Sequence, residues 1–268
     1  MNLTIAIPTR GVTTSLIRVI EHAISLKADE IIIGINPDDK SYVELPKYED
    51  PRIKIFEHQN NLGLYGNFRF LVEKASCKYF AWLCTDDQIS STAVSELDSF
   101  IKDSPNLVIP NWVWMEYHPN PSPYFDTTNS IKGVYPNLES NKGLVDSALH
   151  SEPSWIFGIW NTSYLQKIFP RKDFDWLDTH LLQKVLVTRK VKIVSTKQPT
   201  LIGTWHWAGK IPGSVDQKGH NPKRAILRQL VTAPRLLILD PKCGNKIFLR
   251  IKFLILSAFK MNRKIRER

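Results

Sequence analysis

The chain has 268 residues, 43% of them hydrophobic, enough to bury a core as one large domain or one domain with an appendage. Three cysteines (Cys77, Cys84 and Cys243), odd in number and without metal-ligand spacing, exclude a disulfide framework and suit a reducing compartment; no run reaches the roughly 18 uncharged apolar residues of a spanning helix. The net charge of +10 sits in one place: residues 218–268 hold 14 Lys or Arg against 2 acids, leaving 22 bases and 24 acids before them. Such a tail points to an anionic surface, membrane or nucleic acid, met by the tail alone.

In chain order, residues 3–7 are an apolar run closed by Pro8, a first strand and not a cleaved signal peptide. Thr13 or Thr14 can cap a helix running to about Leu26. Residues 30–35 are a β-branched strand that breaks at Asn36-Pro37-Asp38-Asp39, and 52–57 form another short strand. A turn cluster at 60–63 precedes a helix over 67–75. Residues 79–83 are apolar and strand-like and end in the adjacent carboxylates Asp86 and Asp87, followed by a helix over 91–101. Strands spaced by helices predict an α/β fold with a mostly parallel sheet. Acids at the carboxyl end of a parallel strand can seat a hard divalent cation; Asp also suits a plain turn or a helix start.

Five prolines between Pro110 and Pro136 predict an irregular stretch over 111–135, the composition of a lid, a binding loop or a surface excursion. Helices follow over 163–168 and 178–187, and a strand over 192–194. The tail reads as helices over 222–239 and 241–266, with bulky apolar residues interleaved with Lys and Arg. That is the pattern of a helix lying in a membrane interface, or of one packed on the domain with its bases in water. Nothing in it matches a groove-reading or base-stacking element, so no nucleic-acid partner is expected.

Taken together, residues 1–214 resemble the family-2 glycosyltransferases of the GT-A fold, a Rossmann-like sheet with flanking helices. The resemblance implies a catalytic domain over 1–217, with a nucleotide-sugar-binding half (1–110) and an acceptor-side half (111–217), and a basic helical tail over 218–268. It implies that Pro8, Thr9 and Arg10 form the first nucleotide-contacting loop, that Asn36, Asp38 and Asp39 lie against base and ribose, and that Asn61, Gly63 and Arg69 lie beside the diphosphate. Cys84-Thr85-Asp86-Asp87 resembles the metal motif, usually Asp-x-Asp, with Cys84 in place of the first acid; Asp86 and Asp87, with His206 beyond, would hold Mn²⁺ or Mg²⁺. His206, between Trp205 and Trp207, could equally pack. Trp155 and Trp160 fall in the segment that resembles the acceptor side. The helix opening at Asp178 resembles the one that carries the catalytic base: Leu181 follows three residues on, as in the family, and Asp175 is the alternative.

The implied activity is inverting transfer of a sugar from a nucleoside-diphosphate sugar to a glycan or lipid-linked acceptor. Its setting would be bacterial surface-polysaccharide assembly, in the cytoplasm at the inner face of the membrane. Two other classes fit the same residues: a nucleotide-sugar-binding protein without turnover, given Cys84, and a basic module whose tail binds nucleic acid.

Overall fold

The apolar runs become the middle of a seven-stranded sheet in the computed structural model of the chain. The structure describes residues 2–26, 28–38, 43–85, 87–91, 94, 96, 98–116, 131–132, 135–136, 138–149, 153–171, 177–194, 201–205, 237 and 248. The chain forms two units. The first comprises Met1–Val134, Phe157–Phe169 and Lys192–Asp216; the second comprises Tyr135–Ile156, Pro170–Val191 and Gln217–Arg268.

In the first unit β1 (Leu3–Arg10), β2 (Glu30–Asn36), β3 (Ile53–Glu57) and β4 (Tyr79–Trp82) are joined by parallel pairing. All seven residues of β2 are buried, as expected of a strand covered on both faces. Beyond β4 the sheet becomes mixed. β9 (Ile159–Asn161) lies antiparallel between β4 and β6 (Leu107–Pro110), and β10 (Val191–Val194) closes the order β10-β6-β9-β4-β1-β2-β3.

β1 runs through Pro8 to Arg10, past the stop expected at Pro8. Even-numbered residues of β1 turn their peptide groups toward β4: the Asn2 and Ala6 carbonyls accept from Tyr79 and Leu83. Pairing with β4 ends at Ala6, so the donor-less nitrogen of Pro8 faces a side with no ladder left to break.

Helix α1 (Thr14–Ser25) is capped by Thr13, whose hydroxyl accepts from the Leu16 N–H at 3.1 Å, and buries Leu16, Val19, Ile20 and Ala23. Helix α2 (Gly63–Lys74) packs on β1 and β2. It begins inside the expected turn cluster, four residues before the predicted start. A second sheet has the order β5-β11-β7-β8, formed by β5 (Gln88–Ile89), β7 (Trp112–Glu116), β8 (Ile131–Lys132) and β11 (Leu201–Trp205). The stretch expected to be irregular therefore contributes two strands; residues 117–130 lie outside the described ones. Alternating Trp112-Val113-Trp114 carried that strand signal, and the surrounding prolines masked it.

In the second unit α3 (Asn141–Leu149) packs against α5 (Leu177–Leu186), with Leu144, Val145, Ala148, Leu181, Leu182, Val185 and Leu186 buried. The short α4 (Thr162–Ile168) belongs to the first unit and packs on α2.

Candidate active site

Strands β2, β1 and β4 end at one edge of the sheet, and β1 is where the connection order reverses: the chain goes to β2 on one side and comes back to β4 on the other. Open α/β sheets bind ligands in the crevice beyond such a reversal. Three segments meet that edge: Thr9 to Gly11, Asn36 to Asp38, and Cys84 to Asp87.

Two buried asparagines hold this edge together. Asn36 donates from Nδ2 to the Gly63 carbonyl (3.1 Å) and accepts on Oδ1 from the Leu62 N–H (3.0 Å), while its own carbonyl accepts from the Gly11 N–H (2.8 Å). Asn61 Oδ1 accepts from the Gly63 N–H at 2.8 Å. Side chains thus supply acceptors that the start of α2 lacks. Gly63 sits at φ +71° in open space, so the residue is needed for its dihedral alone.

Asn67 donates from Nδ2 to the Gly34 carbonyl (2.7 Å) and to the Thr9 carbonyl (3.3 Å), and its Oδ1 lies 3.1 Å from His58 Nε2. With the amide nitrogen used on carbonyls, His58 is the donor in that last bond. Arg10 Nε lies 3.3 Å from Asp38 Oδ2, with the two side chains 49% and 22% exposed. A pair this open adds little stability and serves to orient the guanidinium.

At the end of β4 the Leu83 N–H donates to the Ala6 carbonyl (2.9 Å) and the Asp87 N–H to the Cys84 carbonyl (3.1 Å), closing a tight turn over residues 84–87. Asp87 is only 7% exposed. A carboxylate so far from water must be paired or hydrogen-bonded. Two residues later the backbone of Ile89 meets His22 of α1, whose Nε2 lies 2.9 Å from the Ile89 oxygen and 3.2 Å from its nitrogen. Burial pushes the His22 imidazole below its ordinary pKa, against the opposing pull of the Ile89 bond.

Among the described residues no group of three or more His, Cys, Asp or Glu comes together to hold a metal ion. Asp87 offers the hard oxygen donor that Mg²⁺ or Mn²⁺ takes, whereas the Cys84 thiol is soft and suits neither. Asp86 and His206 lie outside the described residues, as do Asp39 and Asp175. In the second unit Asp178 stands in the first turn of α5, half-buried, where a carboxylate is favoured by the helix dipole.

The sequence model of glycosyl transferase family 2 matches residues 4–153, more than half of the chain. The chain belongs to glycosyl transferase family 2. No curated protein matches it in sequence. Similar folds occur in TarS of S. aureus. A 1–349 fragment in complex with UDP-GlcNAc is 14% identical, with a TM-score of 0.58 over 90% of this chain and 68% of that one. Another structure of the 1–349 fragment is 13% identical, with a TM-score of 0.58 over 98% of this chain and 74% of that one. A longer TarS is 12% identical at TM-score 0.59, and this chain spans 40% of it. The family-2 match and these likenesses identify the α/β architecture as the Rossmann-like GT-A fold.

Within this family-2 chain the expected residues separate into three groups. Thr9, Arg10, Asp38, Asn61, Gly63 and Thr85 are accessible around the carboxyl edge, and Arg69 is half-buried on α2. Pro8 and Asn36 are buried, and the Asn36 side chain is occupied by the start of α2, so both shape the loops from behind. The two tryptophans are buried. Trp160 is fully buried, its ring 6.3 Å from that of Trp82 in a T-shaped contact, and Trp155 is 3% exposed. Both rings pack the interior of the fold.

Sequence reasoning missed Gly34, Asn67, His58 and His22. Gly34 carried a signal, because a glycine inside a β-branched run marks a close approach. Asn67 lies four residues before the buried Leu71, on the helix face turned inward. Nothing in sequence marked His22 or His58, whose partners lie 67 and nine residues away.

Proposed function

We propose that this family-2 glycosyltransferase moves a sugar from a nucleoside-diphosphate donor to a hydroxyl of a glycan or lipid-linked acceptor, with inversion. The observation that carries the reading is the turn at the end of β4, which holds the buried Asp87 at the carboxyl edge beside the reversal point of the sheet. Similarity to TarS, whose structures hold UDP-GlcNAc and UDP, makes uridine diphosphate sugars the first donors to try. Thr9, Arg10, Asp38 and Asp39 would contact base and ribose; Asn61, Gly63, Arg69 and Thr85 would line the diphosphate. Asp87 and Asp86, with His206, would hold a Mn²⁺ or Mg²⁺ ion, whose charge would stabilise the departing nucleoside diphosphate. Asp178, with Asp175 as the alternative, would take the proton from the acceptor hydroxyl. A single displacement of this kind needs no enzyme nucleophile.

The setting we infer is the cytoplasmic face of a bacterial membrane, in surface-polysaccharide assembly. No helix among the described residues is long and apolar enough to cross a membrane. The tail supplies the other contact: its basic residues are interleaved with bulky apolar ones, and Phe248 is 65% exposed and Leu237 39%.

A panel of nucleotide sugars, screened by thermal shift with Mn²⁺ and then by release of nucleoside diphosphate, tests the reading. A cognate donor at 100 times its dissociation constant should add about 2.7 kcal/mol of stability. Asp87→Ala should remove both turnover and the Mn²⁺-dependent part of binding. Normal turnover by Asp87→Ala refutes the metal assignment. A thermal shift without nucleotide release, in the presence of acceptor, would instead favour a binding protein, the reading that Cys84 in the motif permits.

A further inference from the structure

The turn that carries Asp87 is held on its entry side by β1, through the bond from Leu83 to Ala6. Its exit is held differently. β5 is the edge strand of the small sheet, paired antiparallel to β11 with Ile89 opposite Leu201. A strand residue turns its N–H and C=O to the same side, and on an edge strand alternate residues are left with both unpaired. Both groups of Ile89 point at one atom, Nε2 of His22. That nitrogen can donate to the carbonyl or accept from the N–H, so either neutral tautomer keeps one bond. Neutrality is favoured here, because burial lowers the imidazole pKa.

His22 stands on α1, and α1 follows β1, whose last residues are Thr9 and Arg10, through the short connection at 11–13. One β-loop-α unit therefore grips the acid turn at both ends and also bears the proposed nucleotide-contacting residues Thr9 and Arg10. Ile89 is two residues past Asp87, about 7 Å of extended chain, too short a tether for the carboxylate to move independently of the clamp.

We propose that His22 is a positioning residue: by holding Ile89 it fixes the Asp87 carboxylate relative to Thr9 and Arg10 at the end of β1, and so readies Asp87 to hold the divalent cation that would accompany the diphosphate. This rests on the metal reading of Asp87 given above. His22 itself touches neither substrate nor ion.

The test compares His22→Leu, which fills the space without a polar atom, and His22→Gln, whose amide can reach Ile89. UDP binding is measured by calorimetry with and without Mn²⁺, and amide hydrogen exchange is followed over residues 84–89. His22→Leu should weaken Mn²⁺-dependent UDP binding at least five-fold, leave Mn²⁺-free UDP binding within two-fold, and speed exchange at 84–89. His22→Gln should restore Mn²⁺-dependent binding to within two-fold of the parent. Equal losses with and without Mn²⁺, no loss at all, or a Gln variant as impaired as the Leu variant each overturn the proposal. If His22→Leu does not fold, His22→Asn, whose amide falls short of Ile89, is judged by the same criteria. Asp87→Ala is run alongside. If it leaves Mn²⁺-dependent binding intact, the metal reading and this proposal fall together; if it abolishes that binding while His22→Leu does not, only the proposal falls.

Discussion

Replacing Gly34 by alanine adds one carbon at the tightest point beneath the candidate site. The new Cβ would lie 2.2 Å from Asn67 Oδ1, 3.1 Å from Asn67 Cγ and 3.2 Å from Leu71 Cδ2. Contacts under 3 Å do not persist, so Asn67 must move. It is 2% exposed and bonded to Gly34, Thr9 and His58, so it has no solvent to move into. Overpacking a core position costs about 1–3 kcal/mol, and leaving a buried polar group unsatisfied costs about 1–3 kcal/mol. These penalties overlap, because the same displacement causes both, and a loss of roughly 2–4 kcal/mol is expected. Urea unfolding followed by tryptophan fluorescence reads it, since Trp82 and Trp160 are buried in the same unit. UDP affinity should fall several-fold as the Thr9 carbonyl loses its tie. Asn67→Ala vacates the space, so the double variant should be at least 1 kcal/mol more stable than additivity predicts, roughly the coupling seen for residues in contact. Additive costs, or a single Gly34→Ala penalty below about 0.5 kcal/mol, the level of a surface substitution, would refute the reasoning.

Glu30, buried at the opposite end of the sheet, is bonded to Lys54 (2.7 Å), Ser76 (2.8 Å to both N–H and hydroxyl) and Thr4 (2.5 Å). Burial alone would raise its pKa, but these donors outweigh it and hold the carboxyl at about 2. The folded value is below the unfolded one, so the stabilisation is complete above pH 4.5 and is lost as pH falls toward 2. Because Lys54 is half exposed, that stabilisation is set at about 2 kcal/mol, less than the full shift would give. Glu30→Gln should flatten this acid limb in pH-dependent unfolding, and an unchanged limb would count against the assignment. Asp178→Asn should keep UDP affinity and lower turnover about 100-fold, the scale of a lost general base; if Asp175→Asn does so instead, the two roles exchange. Removing residues 241–268 should release the protein from anionic vesicles, and salt should weaken binding of the full chain, because charges are screened beyond about 8–10 Å. Equal vesicle binding by both forms would rule out the membrane role of the tail.

The sequence by itself determined the fold class and the strands that carry the site. Runs such as 30–36 and 79–82 are apolar enough to be buried on both faces, and turn-forming residues follow each within a few positions, Pro37-Asp38 and Thr85-Asp86-Asp87. That local pattern placed Asp87 at a strand end and a helix cap at Thr13 or Thr14, of which the structure uses Thr13. It also reached the family, through an ordered set of motifs running from Pro8 to His206. Tertiary structure alone decided what the buried side chains do. Trp160 read as a candidate for the acceptor side, yet its strand is inserted antiparallel between β4 and β6, and that placement encloses the ring. Asn36 read as a ligand contact, yet it ties β2 to the start of α2 across 27 residues. His22 read as one more helical residue until the fold brought Ile89 to it. Periodicity encodes which face of an element is buried, but not which distant element will cover it, and the partner decides whether a polar group binds a ligand or holds the frame.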